Sequence, residues 1–175
     1  MNLTSPSQVK AWCIENDFHP NKVLGQHFLI DQNALKAIVD TGLEGVEKKT
    51  AKATGEGRIS VLEIGPGMGV LTEEMLKRGA EVIAVEKDPV LAARLKASLG
   101  NPAGLTVIAR DALEVIAASS SSPSPSSSPS SLAFDSFSCM VSNLPYQAGT
   151  RILLDLVLTR ALPTMTVLVQ TEVAD

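Results

Sequence analysis

Four consecutive residues, Asn143, Leu144, Pro145 and Tyr146, combine the groups needed to hold a flat ring that carries an amino group. Asn143 offers an amide carbonyl as an acceptor. Pro145 lacks an N–H, so the carbonyls around it cannot all be tied into a ladder. Tyr146 offers a ring face. Upstream, Gly65-Pro66-Gly67-Met68-Gly69 follows the apolar run Val61-Leu62-Glu63-Ile64. Glycines there permit positive φ and let a ligand approach the backbone closely. The spacing departs from the dinucleotide pattern G-x-G-x-x-G, because a proline separates the first two glycines and Val70 stands where the third would be. The loop therefore reads as a nucleotide-cofactor turn with no pyrophosphate to cradle, or as a plain strand-to-helix turn.

Two carboxylates sit at matching places further along. Glu86 ends the next apolar run, where a carboxylate can accept from both ribose hydroxyls as the acidic residue of dinucleotide folds does. The alternative is a solvated charge at a strand end. Asp111, in Ala109-Arg110-Asp111-Ala112, can accept from an adenine amino group while the Ala112 N–H reads the ring beside it. Equally, it can cap a helix. Lys87 and Asp88 are expected to face elsewhere or to cap the following helix.

Together with Gly25-Gln26-His27-Phe28-Leu29, these motifs resemble the ribosomal RNA adenine dimethyltransferases, from about Lys22 to the end of the chain. The resemblance implies S-adenosylmethionine as cofactor and the exocyclic 6-amino groups of small-subunit ribosomal RNA adenines as targets. It implies a Rossmann-like S-adenosylmethionine-dependent methyltransferase fold. It further implies that His27, Leu29, Gly65, Gly67, Glu86, Asp111, Ala112 and Asn143 hold the cofactor, and that Asn143, Leu144, Pro145 and Tyr146 form the reacting end. Many relatives carry Asn where this chain has His27; either side chain can hydrogen-bond a carboxylate, and His adds a titratable charge. The implied partner is small-subunit ribosomal RNA or a pre-30S-type particle. Two other readings stay open: a DNA or small-molecule amino-methyltransferase with the same cofactor site, and a non-catalytic RNA- or ribosome-binding relative.

The elements that must position these residues are legible from periodicity. Residues 59–64, 81–86, 105–109, 140–142 and 164–170 read as strands. Helices are expected over 7–15, 32–41, 71–78, from Pro89 to about Leu99, and over 150–158. Asp31 is the expected N-cap of the second, and Pro89 suits the first turn of the fourth. Residues 42–58 lose their periodicity and read as a mobile connection. Alternating strands and helices imply an α/β fold with a parallel sheet covered on both faces. The division expected is an N-terminal helical extension over 1–21 and a partial catalytic domain over 22–175, incomplete at its C-terminus and lacking a C-terminal helical domain. Residues 119–131 are Ser and Pro alone, so no apolar burial offsets their ordering entropy, and they read as a disordered insertion.

Bulk properties bound the rest. The 175 residues suffice for one core. A net charge of −4 does not suggest the broad basic face of a nucleic-acid binder, although it does not exclude a local patch. Two cysteines and two histidines lack metal-ligand spacing, so no metal site is expected. Cys13 and Cys139 are expected to stay free. No run is long and apolar enough to suggest a membrane span. A monomer in a reducing cytoplasm is the expected state.

Overall fold

The computed structural model describes residues 5–15, 18, 31–50, 59–120, 132–145, 148–159 and 162–169. Its elements run α1 (Pro6–Glu15), α2 (Gln32–Thr50), β1 (Ser60–Ile64), α3 (Val70–Lys77), β2 (Glu81–Glu86), α4 (Pro89–Ser98), β3 (Leu105–Ala109), α5 (Ala112–Ser120), a 3₁₀ turn (Phe134–Ser136), β4 (Cys139–Asn143), α6 (Gly149–Leu158) and β5 (Met165–Leu168). The five strands form one parallel sheet in the order β3-β2-β1-β4-β5. The expected α/β fold is present.

The sheet is apolar on both faces because helices cover both. Along β1, Val61 joins the core with Leu43 and Val46 of α2 and Met75 of α3. Leu62 and Ile64 join the opposite core, with Val115 and Ile116 of α5 and Ile152 and Leu156 of α6. Val9 of α1 belongs to the first of these cores, so α1 packs against the sheet's domain.

Two expectations about elements are corrected. Residues 42–50 are not a connection: α2 continues from Gln32 to Thr50, with Leu35, Ile38, Val39, Leu43 and Val46 buried at helical spacing. Gly42 allows this, because a Cβ there would lie 2.5 Å from Val141 Cγ2 on β4. The helix thus lies directly on the strand. Ser119 and Ser120 are likewise helical, as the last turn of α5; the Ser119 hydroxyl donates to the Val115 carbonyl (2.9 Å) and accepts from the Leu132 N–H (3.1 Å). Residues 121–131 lie outside the described residues.

Strand order fixes where a ligand can enter. From β1 the chain winds to β2 and β3, then returns to the other side of β1 as β4. In open α/β sheets such a reversal leaves a crevice at the carboxyl ends of the strands. Here it lies between the Gly65 turn and the Asn143–Pro145 turn.

Candidate active site

The glycine turn begins where β1 ends. Gly65, Gly67 and Gly69 take φ of 69°, 58° and 87°, which side chains bearing a Cβ resist. The Gly65 N–H donates to the Val85 carbonyl at 2.9 Å, fixing the turn to β2. A Cβ on Gly65 would sit 3.4 Å from Pro145 Cδ and 3.9 Å from the Asn143 backbone oxygen. The two motifs singled out in the sequence therefore touch. Gly69 serves packing instead: a Cβ there would lie 2.6 Å from Leu95 Cδ1 of α4.

The β1–β4 ladder opens toward this crevice. Its paired residues are Val61 with Cys139 and Leu62 with Met140. Beyond them the Ser142 hydroxyl accepts from the Ile64 N–H at 2.9 Å, so a side chain satisfies the backbone while the strands part.

Glu86 lies under the turn, 6% exposed. Its Oε2 accepts from the Gly67 N–H (3.0 Å) and its Oε1 from the Asp88 N–H (2.8 Å). It is not a solvated strand-end charge. Burial raises its pKa, and the Asp88 and Gly67 amides pull the other way. Asp88 caps α4, accepting from the Val90 and Leu91 N–H groups at 2.9 and 3.1 Å, as one of the two expectations for it had it.

Asp111 does cap a helix: its Oδ1 accepts from the Leu113 N–H at 2.9 Å. Its Oδ2 lies 2.7 Å from Lys87 Nζ. Burial pushes its pKa up, but the Lys87 ammonium and the Leu113 amide outweigh that, and the net direction is down. Lys87 therefore does not face elsewhere; it bridges the ends of β2 and β3 beside the site. Ala112, the first residue of α5, is buried against the same edge.

At the end of β4, Asn143 pairs in register with Leu168 of β5, and its Oδ1 is buried. Leu144 is 2% exposed, and its N–H donates to the Leu168 carbonyl at 3.2 Å. The Pro145 carbonyl accepts from the Ala148 and Gly149 N–H groups at 3.2 and 2.7 Å, closing the first turn of α6. Of the two backbone carbonyls expected as acceptors, that of Pro145 is thus engaged by α6. Tyr146, His27 and Leu29 lie outside the described residues.

Sequence reasoning missed Glu63. It is 1% exposed in the middle of β1, and its Oε2 accepts from the Thr72 hydroxyl at 2.6 Å. Burial, opposed by that hydrogen bond and reinforced by Glu86, pushes its pKa up to about 8. The available signal was one acidic residue inside an otherwise apolar strand. Cys13 and Cys139 are both free, and burial pushes the Cys139 thiol up to about 11. Among the described residues no cluster of His, Cys, Asp and Glu is built to hold a metal, and no helix is long and apolar enough to cross a membrane.

Comparisons with known proteins bear on this arrangement. The family model described as Ribosomal RNA adenine dimethylase matches residues 17–175. Ribosomal RNA small subunit methyltransferase A of Deinococcus radiodurans is 39% identical over 98% of this chain and 50% of its own length. Its counterpart in Corynebacterium jeikeium is 36% identical over 100% of this chain and 51% of its own. The chain spans about half the length of the curated relatives it matches. Among solved structures, the 23S rRNA methyltransferase ErmE aligns with a TM-score of 0.55 at 25% identity, over 82% of this chain and 48% of that one. A dimethyladenosine transferase from Plasmodium falciparum shares the fold, with a TM-score of 0.52 at 23% identity over 82% and 43% of the two chains.

Proposed function

Because the chain belongs to the ribosomal RNA adenine dimethylase family, we propose that it transfers methyl groups from S-adenosylmethionine to the 6-amino groups of adenines in small-subunit ribosomal RNA. The observation that carries this reading is the contact between the Gly65 turn and the Asn143–Pro145 turn, with Glu86 bound to the Gly67 amide beside them. The residues present fit the cofactor. A carboxylate offers about four acceptor sites, so Glu86 keeps capacity for ribose hydroxyls beyond its backbone bonds. The turn lacks the third glycine of a pyrophosphate fingerprint, which suits an aminoacyl end instead.

When bound, the cofactor supplies a methyl group made electrophilic by a positive sulfonium. The chain's own task is alignment and desolvation. An adenine amino lone pair is conjugated into the ring and is a poor nucleophile. The Asn143 side-chain oxygen and the Leu144 carbonyl accept its two hydrogens, which draws the nitrogen toward a tetrahedral shape and exposes the lone pair. Tyr146 stacks on the base, a contact worth roughly 1–3 kcal/mol by analogy with single-strand binders. Asp111 and the Ala112 amide read the cofactor's adenine, and His27 and Leu29 cover it. No general base is needed, since the alkylated ammonium loses its proton to water. An adenine inside a duplex cannot reach the slot, so the target is unpaired or flipped out. Two rounds at one nitrogen give the dimethylated base. We place this work in the cytoplasm, on a pre-30S-type particle, with the chain acting as a monomer.

The test is labelled methyl transfer from S-adenosylmethionine to small-subunit RNA, with duplex DNA as the competing substrate. Transfer to RNA alone supports the reading, and transfer to DNA alone refutes it. Calorimetric binding of the cofactor without any transfer would favour an RNA-binding relative, a reading the half-length match keeps in play. Tyr146→Ala is expected to lower transfer at least tenfold with cofactor affinity nearly unchanged; equal losses in both would remove Tyr146 from the base slot.

A further inference from the structure

An ion pair outside the proposed chemistry joins the ends of β2 and β3. Lys87 follows Glu86, the last residue of β2, and Asp111 precedes Ala112, the first residue of α5. Glu86 and Ala109 stand opposite each other in the β2–β3 ladder, and Glu86 holds the Gly67 amide of the glycine turn. Lys87 and Asp111 therefore leave adjacent strands at the carboxyl edge beside that turn. Lys87 Nζ lies 2.7 Å from Asp111 Oδ2, while Asp111 Oδ1 accepts from the Leu113 N–H at 2.9 Å. Each carboxylate oxygen thus has a donor, one from the end of β2 and one from the first turn of α5. The other acid that acts on Lys87, Glu114 of α5, pairs with Arg110 at 3.5 Å. The Lys87 side chain is 59% exposed and that of Asp111 25%. An ion pair as open as this adds little to folding. Its effect is geometric instead. The terminal torsion of an aspartate is broad and two-fold, so a cap bond on one oxygen leaves the other free to swing. A donor on the second oxygen fixes the plane of the carboxylate.

We propose that Lys87 is a positioning residue, which locks the Asp111 carboxylate so that the site takes a 6-amino purine and refuses a 6-oxo purine in its cofactor. This rests on the reading of the crevice as an S-adenosylmethionine site with Asp111 at the adenine. A carboxylate has about four acceptor sites, so two bonded oxygens keep room for an adenine amino group. Adenine brings an N–H donor to that place. Hypoxanthine brings a carbonyl oxygen, which meets the carboxylate acceptor to acceptor. A carboxylate held at both oxygens cannot turn aside from that meeting, so the wrong ring is left with an unpaired polar group. For the right ring, the acceptor is in place before binding and little side-chain freedom is lost. Lys87 acts through Asp111 and not on the reacting atoms.

Calorimetry on the full chain compares S-adenosylhomocysteine with S-inosylhomocysteine. The two differ only in the purine and share a net charge of zero, so loss of the Lys87 charge acts on both alike. Lys87→Met keeps the stem and removes the ammonium. It is expected to weaken the adenosyl ligand about fivefold and the inosyl ligand by less than about twofold, so the ratio of the two affinities falls. Lys87→Arg keeps a donor and is expected to restore most of that ratio. Asp111→Asn keeps the helix cap and can turn its amide toward a carbonyl, so it is expected to remove most of the preference for the adenosyl ligand. Adding Lys87→Met to Asp111→Asn is expected to change the ratio no further, since both substitutions act on one contact. Equal weakening of both ligands by Lys87→Met overturns the proposal. So does tighter binding of the adenosyl ligand, which would make Lys87 a rival of the adenine for Asp111, and so do additive effects of the two substitutions. If Asp111→Asn leaves the ratio unchanged, the placing of Asp111 at the adenine fails and the proposal fails with it. If the folded wild-type chain gives no binding heat with either ligand, the reading of the crevice as a cofactor site is itself wrong.

Discussion

Glu86 does two things with one carboxylate. Its bonds to the Gly67 and Asp88 amides hold the glycine turn and the start of α4, and in the proposed reading its remaining acceptor capacity takes the ribose hydroxyls. Glu86→Ala is accordingly expected to weaken S-adenosylmethionine binding by more than about tenfold in equilibrium titration; an unchanged affinity would remove it from the site. The placement of Glu86, Asp111 and Asn143 was legible because each is a polar residue at the end of an apolar run, and all three lie at the carboxyl ends of their strands. Glu63 was not, since its neighbours read simply as a strand interior. Nor were the bonds that the Pro145 carbonyl accepts from the Ala148 and Gly149 amides, which depend on how closely α6 follows. Glu63 also makes stability depend on pH. Its folded pKa of about 8 lies above the ordinary 4.5, so the folded chain binds the extra proton between those values. Its stabilising contribution is whole below about 4.5 and is lost as pH rises through about 8. The unfolding free energy of the wild type relative to Glu63→Gln is expected to fall by a few kcal/mol from pH 5 to pH 8, as read by urea titration at several pH values. A pH-independent difference would mean that Glu63 is ionised throughout.

Elements were more legible than their lengths. Strands β2 and β3 were read at their observed bounds, because both are continuous β-branched and apolar runs closed by polar residues. Helix α2 was read nine residues short, ending at 41 instead of 50, because Gly42 and the Lys- and Glu-rich run after it resemble a loop. Leu43 and Val46 nevertheless continue the spacing set by Leu35 and Val39. Helix α5 was not read at all; its start is marked by the same Asp111 that was assigned to a ligand. Gly42 explains why the sequence looks weak where the helix is well packed. Ala would gain roughly 0.5–1 kcal/mol of helix propensity. Its methyl would, however, fall 2.5 Å from Val141 Cγ2, on a fully buried β-branched side chain that cannot rotate away cheaply. Overpacking of this kind costs about 1–3 kcal/mol. Gly42→Ala is expected to destabilise the chain by about 1–2 kcal/mol in chemical unfolding; a stabilised variant would show that α2 can lift off β4.

At the scale of the molecule, the sheet has two edges that differ in their surroundings. β3 forms one edge, and its first residue, Leu105, is fully buried. β5 forms the other; its four residues are only half-buried among the described residues, and β4 is its one partner there. Next to it, α6 presents Leu154, Val157 and Leu158 at 53%, 55% and 78% exposure. Isolated exposed leucines are ordinary, but three on neighbouring positions of one helix beside an apolar strand edge make a surface that another strand or helix face can cover. The expectation of a monomer and the presence of this edge pull in opposite directions, and concentration decides between them. Sedimentation velocity from roughly 1 to 100 μM is expected to show the weight-average mass rising. Val157→Lys with Leu158→Lys should hold it at the mass of one chain. Both changes lie away from the crevice, so S-adenosylmethionine affinity should be the same for the variant as for the dilute wild type. A wild-type mass constant over that range would mean the β5 edge is already protected, and the exposed face of α6 would then carry no association.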